Sequence, residues 1–218
     1  MTKTGKPVFC FLKRLHPSWG LCYTWSVKAK YLGSAVVGAA SRDYGKDEIA
    51  LAGRSNVGKS SLLNALAGGN IARTSKTPGR TRMVNFFDFQ KFCLVDLPGY
   101  GFAKASKAEQ SGWQEMIEDY ILGSKRLKHV FVLVDSRLDN QALDGQMIEF
   151  LFFHNIPFTV VATKIDKIAK SKRPQKLKSL AAGFKIGAEN ILGVSSEEKI
   201  GLDAVFARID QFVGGENV

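Results

Sequence analysis

Cysteine is scarce in this chain. Only three of its 218 residues are cysteines, Cys10, Cys22 and Cys93, and no two form a CxxC pair. That argues against a disulfide framework or a common zinc site, and it fits a reducing compartment. The three histidines, His16, His129 and His154, are scattered without ligand spacing. No apolar run approaches the ~18 residues of a membrane-spanning helix, so no stable membrane insertion is expected. There is no internal repeat and no low-complexity tract. Acidic residues are outnumbered, 20 against 31 Lys and Arg, which leaves a net charge of +11. Such a balance suggests a polyanionic partner, either RNA or an anionic membrane surface, although charge that serves only solubility is the plainer alternative.

The chain has ample material for a core. Its residues are 45% hydrophobic, which suits one α/β domain. Apolar β-rich runs predict strands near 48–52, 83–89, 92–96, 130–135, 158–162 and 191–194. Helical patterns predict helices near 59–67, 106–122, 140–153, 172–183 and 201–213. Only Gln90 and Lys91 separate the second and third strands, so these should pair as an antiparallel hairpin. The other connections are long enough for helices. The expected fold is therefore α/β: a mostly parallel six-stranded sheet with one antiparallel edge strand and helices on both faces. Leu143, Met147, Phe150 and Leu151 mark the core face of one helix. Leu202, Val205, Phe206, Ile209 and Phe212 mark that of the last. Cys93, inside an apolar stretch, reads as a small core residue.

Residues 1–30 mix Lys and Arg with Phe9, Phe11, Leu12, Trp19, Tyr23 and Trp25. Lys13 and Arg14 interrupt any apolar signal region, so no secretory signal is expected. The segment reads as a poorly ordered extension or an upstream start, with a basic aromatic surface-binding arm as the alternative. Residues 31–213 form the expected single domain and 214–218 a short tail.

Residues Gly53 to Ser60 read GRSNVGKS. This is the phosphate-binding pattern of Gly, four residues, Gly, Lys and Ser, set between an apolar strand and a helix. Glycines let backbone N–H groups of Arg54, Ser55, Asn56, Val57 and Gly58 curl around a polyphosphate. The helix that follows points its positive end at the same anion. Lys59 reaches the terminal phosphates, and Ser60 offers its hydroxyl to Mg²⁺.

Four further elements narrow the nucleotide. Asp96-Leu97-Pro98-Gly99 follows the third strand. The carboxylate of Asp96 can hold Mg²⁺ through water, and the N–H of Gly99 can meet a terminal phosphate whose loss would release the loop. Thr163-Lys164-Ile165-Asp166 follows the fifth strand. Guanine offers two donors on one edge, which a single carboxylate, Asp166, can accept; adenine has no such pair. Lys164 can lay its stem over the base. Ser195-Ser196 follows the sixth strand, where a backbone N–H, that of Ser196 by preference, can donate to the guanine carbonyl. The Gly/Pro-marked stretch Ser75–Arg82 holds Thr77 and Thr81, either of which can complete a magnesium shell; Thr81 is favoured because it directly precedes a strand.

The ordered set GRSNVGKSSL, TPGRTR, DLPGYGFA, TKID and SS resembles the EngB (YihA/YsxC) family of bacterial GTPases, within the Era-like group. The resemblance covers roughly residues 30–213. It implies a Ras-like P-loop fold that binds GTP or GDP with Mg²⁺. It also implies a role in assembly of the large ribosomal subunit, with links to cell division and septation. Motif by motif, Gly53–Ser60 match the phosphate loop and Gly79-Arg80-Thr81 the first switch. Asp96–Gly99 match the second switch, Thr163–Asp166 the base-specificity motif, and Ser195-Ser196-Glu197 the last nucleotide loop. Ser60 and Thr81 would be direct magnesium ligands. Lys59, Thr81 and Gly99 are the groups expected at the transferring phosphoryl group.

Many GTPases place a Gln after this second-switch motif to orient water. Here the position is Tyr100, which cannot act as a base near neutral pH, so intrinsic turnover should be slow. Asn56 either helps hold a K⁺ ion beside the phosphates or merely braces the loop. The basic run Lys164, Lys167, Lys170, Lys172, Arg173, Lys176 and Lys178 either meets rRNA phosphates of large-subunit precursors or forms a solvated face. The competing functions are a membrane-surface GTPase acting in division and a small-molecule P-loop kinase. Nothing in the sequence demands more than a cytoplasmic monomer.

Overall fold

The computed structural model describes residues 13–14, 22–23, 28–35, 43–72, 83–101 and 107–213, with residues 13–14, 22–23 and 107–114 described by backbone alone. The strands are β1 (Lys13–Arg14), β2 (Cys22–Tyr23), β3 (Lys30–Ala35), β4 (Glu48–Gly53), β5 (Val84–Asp88), β6 (Cys93–Asp96), β7 (Leu127–Asp135), β8 (Phe158–Thr163) and β9 (Ile191–Gly193). The helices are α1 (Lys59–Ala67), α2 (Lys107–Gly123), α3 (Ala142–Phe153), α4 (Arg173–Gly183) and α5 (Leu202–Asp210). Among the described residues β1 and β2 pair only with each other, and the remaining strands form one sheet in the order β3-β5-β6-β4-β7-β8-β9.

Every strand from β4 to β9 falls on an expected apolar run. β5 and β6 are the expected hairpin, paired antiparallel from Asn85 opposite Asp96 to Asp88 opposite Cys93. The parallel strands β4, β7 and β8 are continuous apolar runs because helices cover both of their faces.

Among the described residues the main sheet has seven strands where six were expected. β3, a stretch with no strand expected from sequence, pairs antiparallel with β5 and broadens the antiparallel edge by one strand. Its signal is weak because Gly33 breaks the alternation, and the register shifts between Tyr31 and Gly33. Pairing with the otherwise open edge of β5, not local propensity, makes it a strand.

Two apolar layers sandwich the sheet. One joins β-strand residues such as Val95, Val132 and Ala162 to Ile117, Ile148 and Leu151 of α2 and α3. The other joins Leu51, Leu94 and Phe131 to Leu62, Leu63, Val205 and Phe206 of α1 and α5. Phe212 lies beyond the end of α5 yet still packs on this second layer. Leu143 departs from its expected core role, being 40% exposed. Asp144, one position on, takes the inward place instead. Cys93 is fully buried, and burial pushes its thiol up to about 12, so it is inert core.

Candidate functional site

The strands β4, β6, β7, β8 and β9 run parallel, so the loops that follow them open at one end of the sheet. Four of the five predicted motifs lie on those loops. The fifth, containing Gly79, Arg80 and Thr81, lies outside the described residues, so the structure does not place Thr81.

The phosphate loop turns out of β4 at Gly53, where φ is +156°. A Cβ there would lie 2.9 Å from both the Leu133 carbonyl and a Val57 methyl, so only glycine fits. The loop delivers the chain to α1, whose N-cap is Gly58, with no side-chain cap and no acidic residue in its first turn. The first N–H groups of α1 are thus left for an anionic ligand. Lys59 curls back and donates from Nζ to the Gly53 carbonyl at 2.9 Å. Desolvation pulls its pKa down, while the Asp96 and Asp144 carboxylates pull the other way. Ser60 sits in the first turn of α1, on the rim of the same loop.

Asp96 ends β6 and is 8% exposed. Burial pushes its carboxyl up to about 6, with Lys59 opposing the shift. Its Oδ1 is buried and has no hydrogen-bond partner among the described residues. The chain then passes through Leu97, whose N–H donates to the Leu51 carbonyl at 3.1 Å, and Pro98 to Gly99. Gly99 packs directly on the phosphate loop: a Cβ there would lie 3.1 Å from Lys59 Nζ and 3.1 Å from Ser55 N. Tyr100 forms an isolated bridge with Arg54, and its carbonyl accepts the Ser55 N–H at 2.9 Å. The Tyr100 hydroxyl turns into the core and donates to Asp144 Oδ1 at 3.0 Å. Arg54 reaches the N-cap of the same helix, donating from Nη1 to Gln141 Oε1 at 3.2 Å.

The base-recognition loop is tied to the phosphate loop at two points. The Thr163 hydroxyl lies 2.7 Å from the Val57 carbonyl and 3.0 Å from the Val134 carbonyl. Lys164, at φ +57°, donates from Nζ to the Asn56 carbonyl at 3.0 Å and to Asp135 Oδ2 at 2.8 Å. Asn56 is itself at φ +63°, a conformation Asn tolerates better than most residues. The Ile165 N–H donates to the Val194 carbonyl at 3.1 Å, joining this loop to the one after β9. A hydrogen bond from Ser195 and the nearby Lys167 hold the Asp166 carboxyl below its ordinary pKa, so it stays an acceptor. Lys167 Nζ lies 3.0 Å from Asp166 and 3.1 Å from Glu197. The Ser195 N–H goes to the Ile200 carbonyl at 3.0 Å, which leaves that of Ser196 as the expected guanine donor. A cavity of about 360 Å³ opens here between Ser61 and Asn64 of α1 and Ser196 and Glu197.

Sequence reasoning missed Asp135. Burial alone would raise its carboxyl, but hydrogen bonds from Arg137 and Lys164 outweigh that and hold it well below the usual carboxylate range. It fixes the lysine whose stem is to cover the base. Its signal was present: an acid at the carboxyl end of a central strand, here in register with Thr163. The Tyr100–Asp144 bond was also missed, because the two residues are 44 positions apart.

A strand–loop–helix phosphate cradle, a carboxylate after the neighbouring strand and a Thr-Lys-x-Asp loop braced against the cradle define a guanine-nucleotide-binding P-loop domain. Residues 48–164 match the family model described as 50S ribosome-binding GTPase. The chain is 49% identical over 170 residues to the "Probable GTP-binding protein EngB" of Pelotomaculum thermopropionicum, covering 77% of this chain and 86% of that protein. It is 44% identical over 185 residues to the protein of the same name from Aquifex aeolicus, covering 84% and 99%. A crystal structure of a probable GTP-binding protein engB superposes with a TM-score of 0.66 at 26% identity, covering 76% of this chain and 97% of that one. The chain belongs to the EngB family of P-loop GTPases, which bind GTP and hydrolyse it.

Proposed function

We propose that this chain is a nucleotide-gated switch in assembly of the large ribosomal subunit, acting as a cytoplasmic monomer and linked to normal division and septation. The observation that carries this reading is the match of residues 48–164 to a family described as 50S ribosome-binding GTPases. The surface beside the nucleotide site supports it. Of the seven cations in the basic run, Lys164, Lys167, Arg173 and Lys176 bond within the protein. Lys170, Lys172 and Lys178 are exposed, with no ion-pair partner among the described residues. These three are free to meet RNA phosphates.

Hydrolysis requires charge on the transferring phosphoryl group to be neutralised and a water to be oriented. Lys59 and the phosphate-loop amides supply fixed positive potential. The residues present also fit Mg²⁺: a buried carboxylate oxygen without a partner among the described residues, as at Asp96, calls for a cation or an ordered water. Ser60 and, through water, Asp96 would hold the ion, with Thr81 as the further ligand. When bound, it would neutralise phosphate charge. Tyr100 cannot serve as the base for the water, because burial pushes its phenol well above its ordinary range and it stays protonated near neutral pH. Intrinsic turnover is therefore slow, and the missing help comes from the partner or from a K⁺ ion held beside Asn56.

Co-sedimentation with large ribosomal subunits tests the reading, comparing a non-hydrolysable GTP analogue with GDP over a range of salt. Binding with the analogue and not with GDP supports it, and a steep salt dependence assigns part of the affinity to phosphate contacts. Absence of binding in both states overturns the ribosomal role and leaves the GTPase intact. No helix among the described residues is long and apolar enough to cross a membrane. Liposome binding that requires residues 1–30 would then favour the membrane-surface alternative.

A further inference from the structure

We infer that Tyr100 and Asp144 set the discrimination between GDP and GTP, by latching the Gly99-Tyr100 segment over the place that the terminal phosphate must occupy. The inference rests on guanine-nucleotide binding and not on the ribosomal role.

Three contacts build the latch. Gly99 lies so close to Lys59 Nζ and Ser55 N that even a methyl group on it would be in contact with both. Lys59 is the cation that reaches terminal phosphates in a loop of this type. The Ser55 N–H, one of the loop's amides, is satisfied by the Tyr100 carbonyl at 2.9 Å. The Tyr100 hydroxyl is anchored at 3.0 Å to Asp144 of α3, with both side chains buried.

A diphosphate lies deeper in the loop, over the start of α1, and leaves this segment in place. A third phosphate has to take the position of Gly99 beside Lys59. The segment must then lift, the Ser55–Tyr100 backbone bond must break, and the Tyr100 side chain is drawn away from Asp144. The hydroxyl–carboxylate bond is thus present in the GDP-compatible state and lost in the GTP-compatible one. A contact made in one state only shifts the equilibrium toward that state. Tyr100 and Asp144 are therefore positioning residues, acting through Gly99 and Ser55 and not on the nucleotide itself.

The test measures GDP and β,γ-imido GTP affinities for the full chain and for Tyr100→Phe, which removes the hydroxyl and keeps the ring. A buried hydrogen bond to a carboxylate is lost, so the expected change is an increase of about tenfold in analogue affinity, with GDP affinity changed less than twofold. Asp144→Ala should do the same, and the double variant should match either single one, because both remove one bond. Asp144→Asn retains an acceptor and should stay closer to the parent ratio. If both nucleotides shift equally in Tyr100→Phe and Asp144→Ala, or neither shifts, the bond is only structural and the inference fails. Thermal unfolding of each variant confirms that the ratios are read on folded protein.

Discussion

The hydroxyl of Thr163 sits 2.7 Å from the carbonyl of Val57, so the loop that reads the base is built onto the loop that holds the phosphates. The Val134 carbonyl, 3.0 Å away, shares the same proton. Base and phosphate recognition are thereby one rigid unit whose parts are 106 residues apart in the chain.

Thr163→Val keeps the shape of the side chain and removes this link. Thr163 is 4% exposed, so the carbonyls left behind have little water to replace it. We expect a loss of about 1–3 kcal/mol of stability, together with weaker GDP binding. Denaturant unfolding and nucleotide titration check it, and Thr163→Ser should restore most of both.

Asp166→Asn replaces an acceptor-only group by one that also donates. Guanine affinity should fall by about tenfold to a hundredfold, the equivalent of a lost charge-assisted hydrogen bond. Selectivity should relax toward xanthine, which presents a carbonyl where guanine has its amine. Competition between GDP and xanthosine diphosphate reads the change; unchanged GDP affinity would refute the assignment of Asp166.

Asn56 leaves two roles open. It braces the loop through its backbone, where its carbonyl takes Lys164 Nζ, and its exposed side chain is available to a monovalent cation. Hydrolysis should run faster in KCl than in NaCl at equal ionic strength, and Asn56→Ala should remove the difference. Equal rates in the two salts would sink the K⁺ role.

Asp144 carries a pH dependence of definite sign. Burial is the largest influence and pushes its carboxyl up to about 6, against the opposing pull of the Tyr100 hydrogen bond, Arg54 and Lys59. The unfolded chain releases this proton near pH 4. The folded state therefore holds the proton more tightly, and stability from this group is full below about pH 4 and lost as pH rises through about 6. In Asp144→Asn, stability relative to the parent should grow by about 3 kcal/mol from pH 4 to pH 7. Denaturant unfolding across that range measures it; a flat difference would contradict the shift.

Lys170, Lys172 and Lys178 lie outside the nucleotide site. Replacing all three by Gln should leave GDP affinity unchanged and make the salt dependence of ribosome binding shallower, by about two in the log–log slope. An unchanged slope would remove this face from the ribosomal contact.

The nucleotide loops were legible because each is a local pattern. GRSNVGKS curls by itself out of β4 into α1, and TKID follows β8 directly. The core strands were legible for the same reason, as unbroken apolar runs. β3 was not, since Gly33 spoils its pattern and its strand state depends on a neighbour 51 residues ahead, as the register of Ser34 with Asn85 shows. Leu143 was misread because helical spacing alone cannot reveal that Asp144 would be turned inward by Tyr100.

By itself the sequence determined the class of chemistry. The glycines, the lysine and the carboxylates at those spacings specify a guanine nucleotide held by its phosphates and its base edge. Only the tertiary structure decided how those pieces act on one another. It brought Asp135 to Lys164, seated Gly99 on Lys59 and turned the Tyr100 hydroxyl away from the phosphates toward α3. Each of these depends on parallel strands delivering distant residues to one end of the sheet, a pairing set by long-range packing that no window of neighbouring residues encodes.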